Sequence, residues 1–136
     1  MKLRGVLETV LYAADLEAAE RFYAGLLGLQ LESRRPGVFL FFRIGPAMLL
    51  IFDPEAAARS REVPSHGAVG PGHVCFAVPE AELPLWKARL EEAGVEIEHV
   101  HRWPRGGWSF YVRDPAGNSV EFATPRIWGL PEPESF

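Results

Sequence analysis

The sequence has little of several features, and each shortage excludes a class of protein. It contains one cysteine, Cys75, which excludes an intrachain disulfide and a CxxC metal or redox motif. No apolar run approaches the roughly 18 residues of a membrane-spanning helix. Lys and Arg total 14 against 18 Asp and Glu, a formal net charge of −4, which argues against binding to nucleic acid or to an anionic membrane surface. The expectation is a cytoplasmic protein.

The remaining composition is that of an ordinary globular domain. Hydrophobic residues make up 48% and charged residues 24% of the 136-residue chain, both close to globular averages. Disorder is therefore disfavoured, and a single domain over residues 1–136 is expected.

The two halves of the chain repeat the same order of elements. Glu8 begins an apolar stretch in the first half, and His73 begins one in the second half. A helical run follows in each half and ends at Gly28 or at Gly94. The predicted organisation is a first repeat over residues 5–54, a linker over residues 55–70, a second repeat over residues 71–125 and a Pro-rich tail over residues 126–136.

Residue patterns predict the order βαβββ in each repeat. Asp15 is a typical helix-capping residue, and Gly28 and Gly94 suit the left-handed position after a helix. Each module has too few elements to cover both faces of its sheet, so the two sheets must share a surface. The fold class is therefore α+β with two βαβββ modules. The predicted strands cover residues 6–13, 29–33, 38–43, 47–52, 74–78, 95–100, 109–113 and 119–124, and the helices follow Asp15 and cover residues 83–93.

Three side chains are candidates for a metal centre. Glu8 and His73 occupy the same position in the two repeats, and they would face each other across a pseudo-twofold axis. Glu121 lies in an apolar strand, where an unpaired carboxylate would be costly to bury. A divalent cation bound by all three side chains would offset the cost of burying this charge. The counterpart of Glu121 in the first repeat is Leu49 or Leu50, and neither binds metal, so three protein ligands leave positions open, as in catalytic sites.

Each candidate also has an ordinary interpretation. A strand-borne glutamate such as Glu8 is commonly solvent-facing, and a lone histidine near a strand start is commonly structural. Glu8 and His73 occupy the same position in a repeat that is inferred from other residues. This agreement favours a shared metal site over two unrelated ordinary roles. His99 and His101 are interpreted as loop or surface groups, and Cys75 as a core residue.

The turn at residues 114–118 predicts a strand register around Glu121. If it joins an antiparallel pair, Arg113 lies opposite Ser119 and Tyr111 lies opposite Glu121. Tyr111 is then a candidate substrate hydrogen-bond donor, with cross-strand packing as the alternative. His66, in the Gly- and Pro-rich linker, is a candidate acid or base, with a surface loop position as the alternative.

Several motifs along the chain belong together: Asp15-Leu16-Glu17, Phe22-Tyr23, Leu27-Gly28-Leu29, Gly72-His73-Val74, Phe110 to Asn118, and Glu121. With these motifs the sequence resembles the vicinal oxygen chelate superfamily, which includes glyoxalase I, fosfomycin- and bleomycin-resistance proteins and extradiol dioxygenases. The resemblance implies paired βαβββ modules around an open barrel-like cleft, metal ligands at Glu8, His73 and Glu121, and a homodimer.

Two departures from the family pattern bear on the reaction. The first ligand position is most often histidine in the family and is Glu8 here, which fits poorly with the two-histidine, one-carboxylate iron triad of extradiol dioxygenases. The fourth, glutamate ligand of glyoxalase I is replaced by Leu49 or Leu50, which speaks against a true glyoxalase I reaction.

Three functions remain open from the sequence. The first is a divalent-metal enzyme (Zn, Ni, Mn or Fe) that chelates a small oxygenated substrate in lyase, isomerase or transferase chemistry, with Glu121 and Tyr111 at the reaction site. The second is a bleomycin-resistance-like protein that binds and sequesters a small molecule without catalysis. The third is an extradiol-type dioxygenase.

Overall fold

The computed structural model describes residues 1–133, which form two compact units that divide between Gly72 and His73. The strands are β1 (Glu8–Tyr12), β2 (Gln30–Arg35), β3 (Phe39–Ile44) and β4 (Ala47–Phe52) in the first unit, and β5 (His73–Ala77), β6 (His99–Arg102), β7 (Trp108–Arg113) and β8 (Ser119–Ala123) in the second. The helices are α1 (Leu16–Glu20), α2 (Pro54–Ala58) and α3 (Leu83–Glu92).

Both units have the same sheet topology. The strand order is β1-β4-β3-β2 in the first sheet and β5-β8-β7-β6 in the second. In each sheet the first and last strands of the module pair in parallel, and the remaining pairs are antiparallel. The predicted α+β class with two βαβββ modules is confirmed.

In the first unit, α1 packs its apolar side against one face of the sheet. Asp15 caps the helix, because its carboxylate accepts a hydrogen bond from the Ala18 amide at 3.0 Å. The helix continues as a π-helical turn over Arg21–Leu26, which carries the buried Phe22 and Tyr23. Tyr23 contacts Phe42 of β3, with ring centroids 5.9 Å apart. This helix-covered face is the core of the first unit, with Leu11, Leu40, Phe42, Leu49 and Ile51 buried.

In the second unit, α3 covers the equivalent face. Trp86 of the helix stacks on Phe122 of β8, which in turn stacks on Phe110 of β7 at 4.9 Å. Gly94 ends the helix at φ +81°, and the Val95 amide donates to the Leu90 carbonyl at 2.9 Å. The predicted role of Gly94 is thus confirmed.

The predicted start of one strand is wrong, and two predicted connecting segments contain short helices. The strand predicted over 95–100 begins only at His99, because the backbone at Val95 completes the helix cap. The linker predicted over 55–70 contains most of α2, which Asp53 caps through the Ala56 amide at 2.9 Å. The tail predicted over 126–136 starts within a 3₁₀ turn, Pro125–Trp128, and its residues 134–136 lie outside the described residues. Within residues 1–133, no helix has the length and apolar character to cross a membrane.

Candidate metal centre

The sheet face opposite α3 is polar in the second unit. Residues alternate between the two faces of a strand, so one face receives every second residue of each strand. On β8 this alternation separates Ser119 and Glu121 from Val120 and Phe122, as predicted. The neighbouring strands contribute their residues of the same parity to the polar face, namely His73, Cys75, Ser109, Tyr111, His99 and His101.

Glu121 and His73 are adjacent on this face. Glu121 is buried, with 6% of its surface exposed. Its Oε1 lies 3.4 Å from Nε2 of His73, whose side chain is about half exposed. The structure therefore places the buried Glu121 carboxylate beside the His73 imidazole, and the sequence predicts that these two side chains come together.

Ser119 fixes the orientation of the His73 ring. The hydroxyl Oγ of Ser119 lies 3.1 Å from Nδ1 of His73, and the two residues are partners in the β5–β8 register. This contact occupies Nδ1 and leaves Nε2 directed at Glu121. A hydrogen bond to the second ring nitrogen is the usual support of a metal-binding histidine.

Tyr111 lies opposite Glu121, as the predicted register requires. Its ring also stacks against the His73 ring, with centroids 6.3 Å apart. Burial raises the pKa of Tyr111, and the Glu121 carboxylate raises it further, while a hydrogen bond with Ser109 acts in the opposite direction. The phenol therefore stays protonated at neutral pH and acts as a hydrogen-bond donor.

Cys75 is the other cross-strand partner of Glu121. The sequence predicted a core residue, but Cys75 lies on the polar face and is partly open to solvent. Burial of the thiol and the neighbouring Glu121 carboxylate raise the pKa of Cys75 to about 12. Without a bound metal ion, the thiol is therefore neutral at physiological pH.

Sequence reasoning missed the outer part of this face. His99 and His101 are both on strand β6, and their rings extend a row that begins at His73 and Tyr111. The His99 ring lies 5.9 Å from that of Tyr111, and the His101 ring lies 4.5 Å from that of Trp103. The surface location predicted for the two histidines is confirmed, whereas the predicted loop location is wrong.

Glu8 belongs to the first unit, where it begins β1 and is exposed. Strand pairing places it at the position that His73 has in the second unit, because Glu8 pairs with Met48 as His73 pairs with Ser119. The same comparison makes Leu50, rather than Leu49, the counterpart of Glu121. Leu50 is buried and offers no ligand atom.

His66 is held within the first unit. Its Nδ1 lies 2.6 Å from the hydroxyl of Tyr12, and its ring packs edge-on against Phe52 with centroids 4.7 Å apart. The residue is half-buried at the end of β1 and β4. Its predicted role as an acid or base stays a prediction.

His73 and Glu121 fit a divalent metal ion. Two ligand atoms that each lie about 2.0–2.2 Å from a tetrahedral ion are about 3.3–3.6 Å from each other, and the observed separation is 3.4 Å. The described residues contain no group of three or more His, Cys, Asp and Glu side chains that could hold a metal ion. The pair would supply two ligands, and metal binding by His73, Glu121 and Glu8 stays a prediction.

Solved structures with similar folds include enzymes of one superfamily. A lactoylglutathione lyase from Agrobacterium tumefaciens is 46% identical, with a TM-score of 0.92 over 96% of this chain and 100% of that chain. A glyoxalase-related enzyme from Fulvimarina pelagi is 27% identical, with a TM-score of 0.71 over 90% of this chain and 88% of that chain.

A curated relative and a family model agree with these structures. The putative ring-cleaving dioxygenase MhqE of Bacillus subtilis (strain 168) is 31% identical over an alignment of 110 residues, and the match covers 72% of this chain. The chain spans only 34% of the length of that relative. The family model described as "Glyoxalase/Bleomycin resistance protein/Dioxygenase superfamily" matches residues 5–122. The chain therefore belongs to the glyoxalase/bleomycin resistance protein/dioxygenase superfamily.

Proposed function

We propose that the protein is a divalent-metal-dependent enzyme of the glyoxalase-like type that acts on a small oxygenated substrate. The observation that carries this proposal is the buried Glu121 carboxylate, 3.4 Å from an imidazole nitrogen of His73. Apolar residues could fill this position, as Leu50 does in the first unit. A protein that only bound an apolar ligand would have no need of the buried charge.

His73 and Glu121 would hold the metal, with Glu8 as the proposed third ligand. Ser119 would keep the His73 ring in its binding orientation. Imidazole and carboxylate together suit Zn, Ni, Mn or Fe, and ligand type does not choose among them. When bound, such an ion would polarise a substrate oxygen as a Lewis acid or lower the pKa of a bound water.

Tyr111 would bind the substrate beside the metal. Its protonated phenol lies across from Glu121 and is a donor for a substrate oxygen that gains negative charge. Glu121 would act as metal ligand and would orient the reacting group. This set supports isomerisation or lyase chemistry in which an enolate or alkoxide develops.

The structure with 46% identity is described as a lactoylglutathione lyase, which favours the lyase branch. Leu50 replaces the second carboxylate that the resemblance to glyoxalase I implies, so a different group must move the proton in the reaction proposed here. The proposed substrate is therefore a small molecule with two adjacent oxygen atoms.

A ring-cleaving dioxygenase is the second candidate. The relative MhqE is described as a putative enzyme of that kind. In the first unit, the sheet face opposite α1 is aromatic: Phe39 stacks on Phe41 at 3.9 Å, and Phe52 contacts both rings. All three are half-buried, and such a surface suits a planar aromatic molecule. Without a reaction, the same surface would serve the third candidate, a binding protein of the bleomycin-resistance kind.

Metal analysis of the full chain tests the proposal. Protein purified without chelator should contain a divalent ion that depends on His73 and Glu121, so His73→Ala and Glu121→Gln should each lower the metal content by about one ion per chain. His66→Ala is the matched control and should retain the ion, because Tyr12 and Phe52 occupy the His66 ring. Absence of metal, together with unchanged ligand binding in Glu121→Gln, would favour the binding protein. Light scattering tests the proposed homodimer.

A further inference from the structure

We propose that His99 and His101 form a second metal site on strand β6, for an ion such as Cu²⁺, Ni²⁺ or Zn²⁺. The two residues are separated by one position on a strand, so both side chains lie on the same face. Strand β6 is the outermost strand of its sheet, and both histidines are exposed. The proposal does not depend on the function proposed above.

The two imidazoles are spaced as ligands of one ion. Nε2 of His99 lies 3.4 Å from Nδ1 of His101, and the ring centroids are 5.6 Å apart at an angle of 38°. Two imidazole nitrogens that each lie about 2.0–2.1 Å from a tetrahedral ion are about 3.3–3.4 Å apart. Imidazole is a preferred ligand of Zn, Cu and Ni.

The surroundings hold the two rings in place. His99 contacts the ring of Tyr111, and His101 packs edge-on against Trp103. Trp103 is itself fixed, because its indole Nε1 donates to the Ser109 hydroxyl at 2.9 Å. Rings that are already oriented lose less freedom when they bind an ion.

The site is incomplete on the protein side, so it leaves positions open. Within residues 1–133, no third His, Cys, Asp or Glu joins this pair as a metal-binding group. The nearest acid along the chain, Glu98, is in an ion pair with Arg113 at 2.8 Å. Water or the donor atoms of a small ligand would complete the coordination.

The alternative is that one imidazole N–H donates to the other ring and no ion binds. Titration of the metal-free full chain with Cu²⁺ separates the two cases, since a Cu²⁺ ion at His101 would quench the fluorescence of Trp103. The chain has four tryptophans, so Trp103→Phe identifies the reporter. Calorimetry measures binding without relying on fluorescence.

The expected result is quenching that survives His73→Ala and His66→Ala. His99→Ala and His101→Ala should each weaken Cu²⁺ binding at this site at least about tenfold, the lower end of the effect of losing even an outer-shell partner. Trp103→Phe should remove most of the quenching but keep the calorimetric binding. Quenching that is unchanged in both His99→Ala and His101→Ala, or lost in His73→Ala, would overturn the proposal.

Discussion

Replacement of Glu121 by leucine should make the metal-free protein more stable. The carboxylate is buried, and leucine is the residue at the equivalent position of the first unit. Replacement of buried ionic groups by apolar side chains of similar volume stabilises proteins by up to about 1–4 kcal/mol. Against this gain stand lost polar contacts with Cys75 and Tyr111, each worth about 0.5–1.5 kcal/mol. The midpoints of these two ranges leave a net gain of about 0.5 kcal/mol in the free energy of unfolding.

Metal should reverse this order of stability. An ion that binds only the folded state adds about 2.7 kcal/mol when its concentration is 100 times Kd. The wild-type chain should gain about that amount more than Glu121→Leu, which lacks the site at Glu121. For a chain of this size 1 kcal/mol corresponds to a Tm shift of about 3–4 °C. In thermal unfolding, Glu121→Leu should therefore have the higher Tm in a chelator, and the wild type should have the higher Tm in excess metal.

Glu121→Gln is the matched control, since it keeps the shape and removes the charge. It should lose the same part of the metal response as Glu121→Leu, with a change of less than about 1 kcal/mol in the metal-free protein. The reasoning is refuted if Glu121→Leu is less stable than the wild type in chelator and gains as much stability from metal as the wild type does. In that case the carboxylate would be a structural acceptor for its neighbours on the sheet.

Three further outcomes are expected. Ser119→Ala should weaken metal binding about 10- to 100-fold in calorimetry while Ser119→Thr retains more of it, because the hydroxyl holds Nδ1 of His73. Arg113 lowers the pKa of Glu98 from 4.5, so the pair stabilises the fold above that pH and loses its effect as the pH falls through the lowered pKa; urea unfolding of Glu98→Gln and wild type should therefore differ at pH 7 and converge in acid. Asp15→Ala should cost about 1 kcal/mol by urea unfolding, and Asp15→Asn should cost less.

The register around Glu121 could be predicted because one turn determines it. The side chain of Asp114 accepts hydrogen bonds from the Ala116 and Asn118 amides at 2.9 and 2.8 Å, and the Asn118 side chain donates to the same carboxylate at 3.0 Å. A turn held this tightly fixes the pairing of the strands that flank it. The placement of Tyr111 opposite Glu121 then follows from alternation alone.

The pairing of His99 with His101 on strand β6 could not be predicted, because the start of a strand depends on how the preceding helix ends. Val95 reads as a strand residue from its side chain, but its amide completes the cap of α3. The chain first reaches β7 at Glu98, whose amide donates to the Tyr111 carbonyl at 2.8 Å. A strand predicted over 95–100 leaves His101 beyond its end, so the alternation that pairs it with His99 is not visible.

The helix α2 was missed for a different reason. Its signal is present in the sequence, since Asp53 can cap a helix and Pro54 suits the first helical turn. The many Gly and Pro residues further along the same segment favoured a linker. Local capping chemistry outweighed the average composition of the segment.

The first unit shows that the fold itself does not require the polar cluster. At three positions that neighbour one another through the strand pairings, one unit has only apolar side chains and the other has a thiol, a carboxylate and a phenol. The topology is the same in both units, so the apolar set satisfies it equally well. The topology therefore does not require a buried carboxylate at Glu121, and this supports our proposal that a metal ion bound to that face compensates for the cost of burying it. These matched positions are Val10, Leu50 and Phe41 in the first unit and Cys75, Glu121 and Tyr111 in the second.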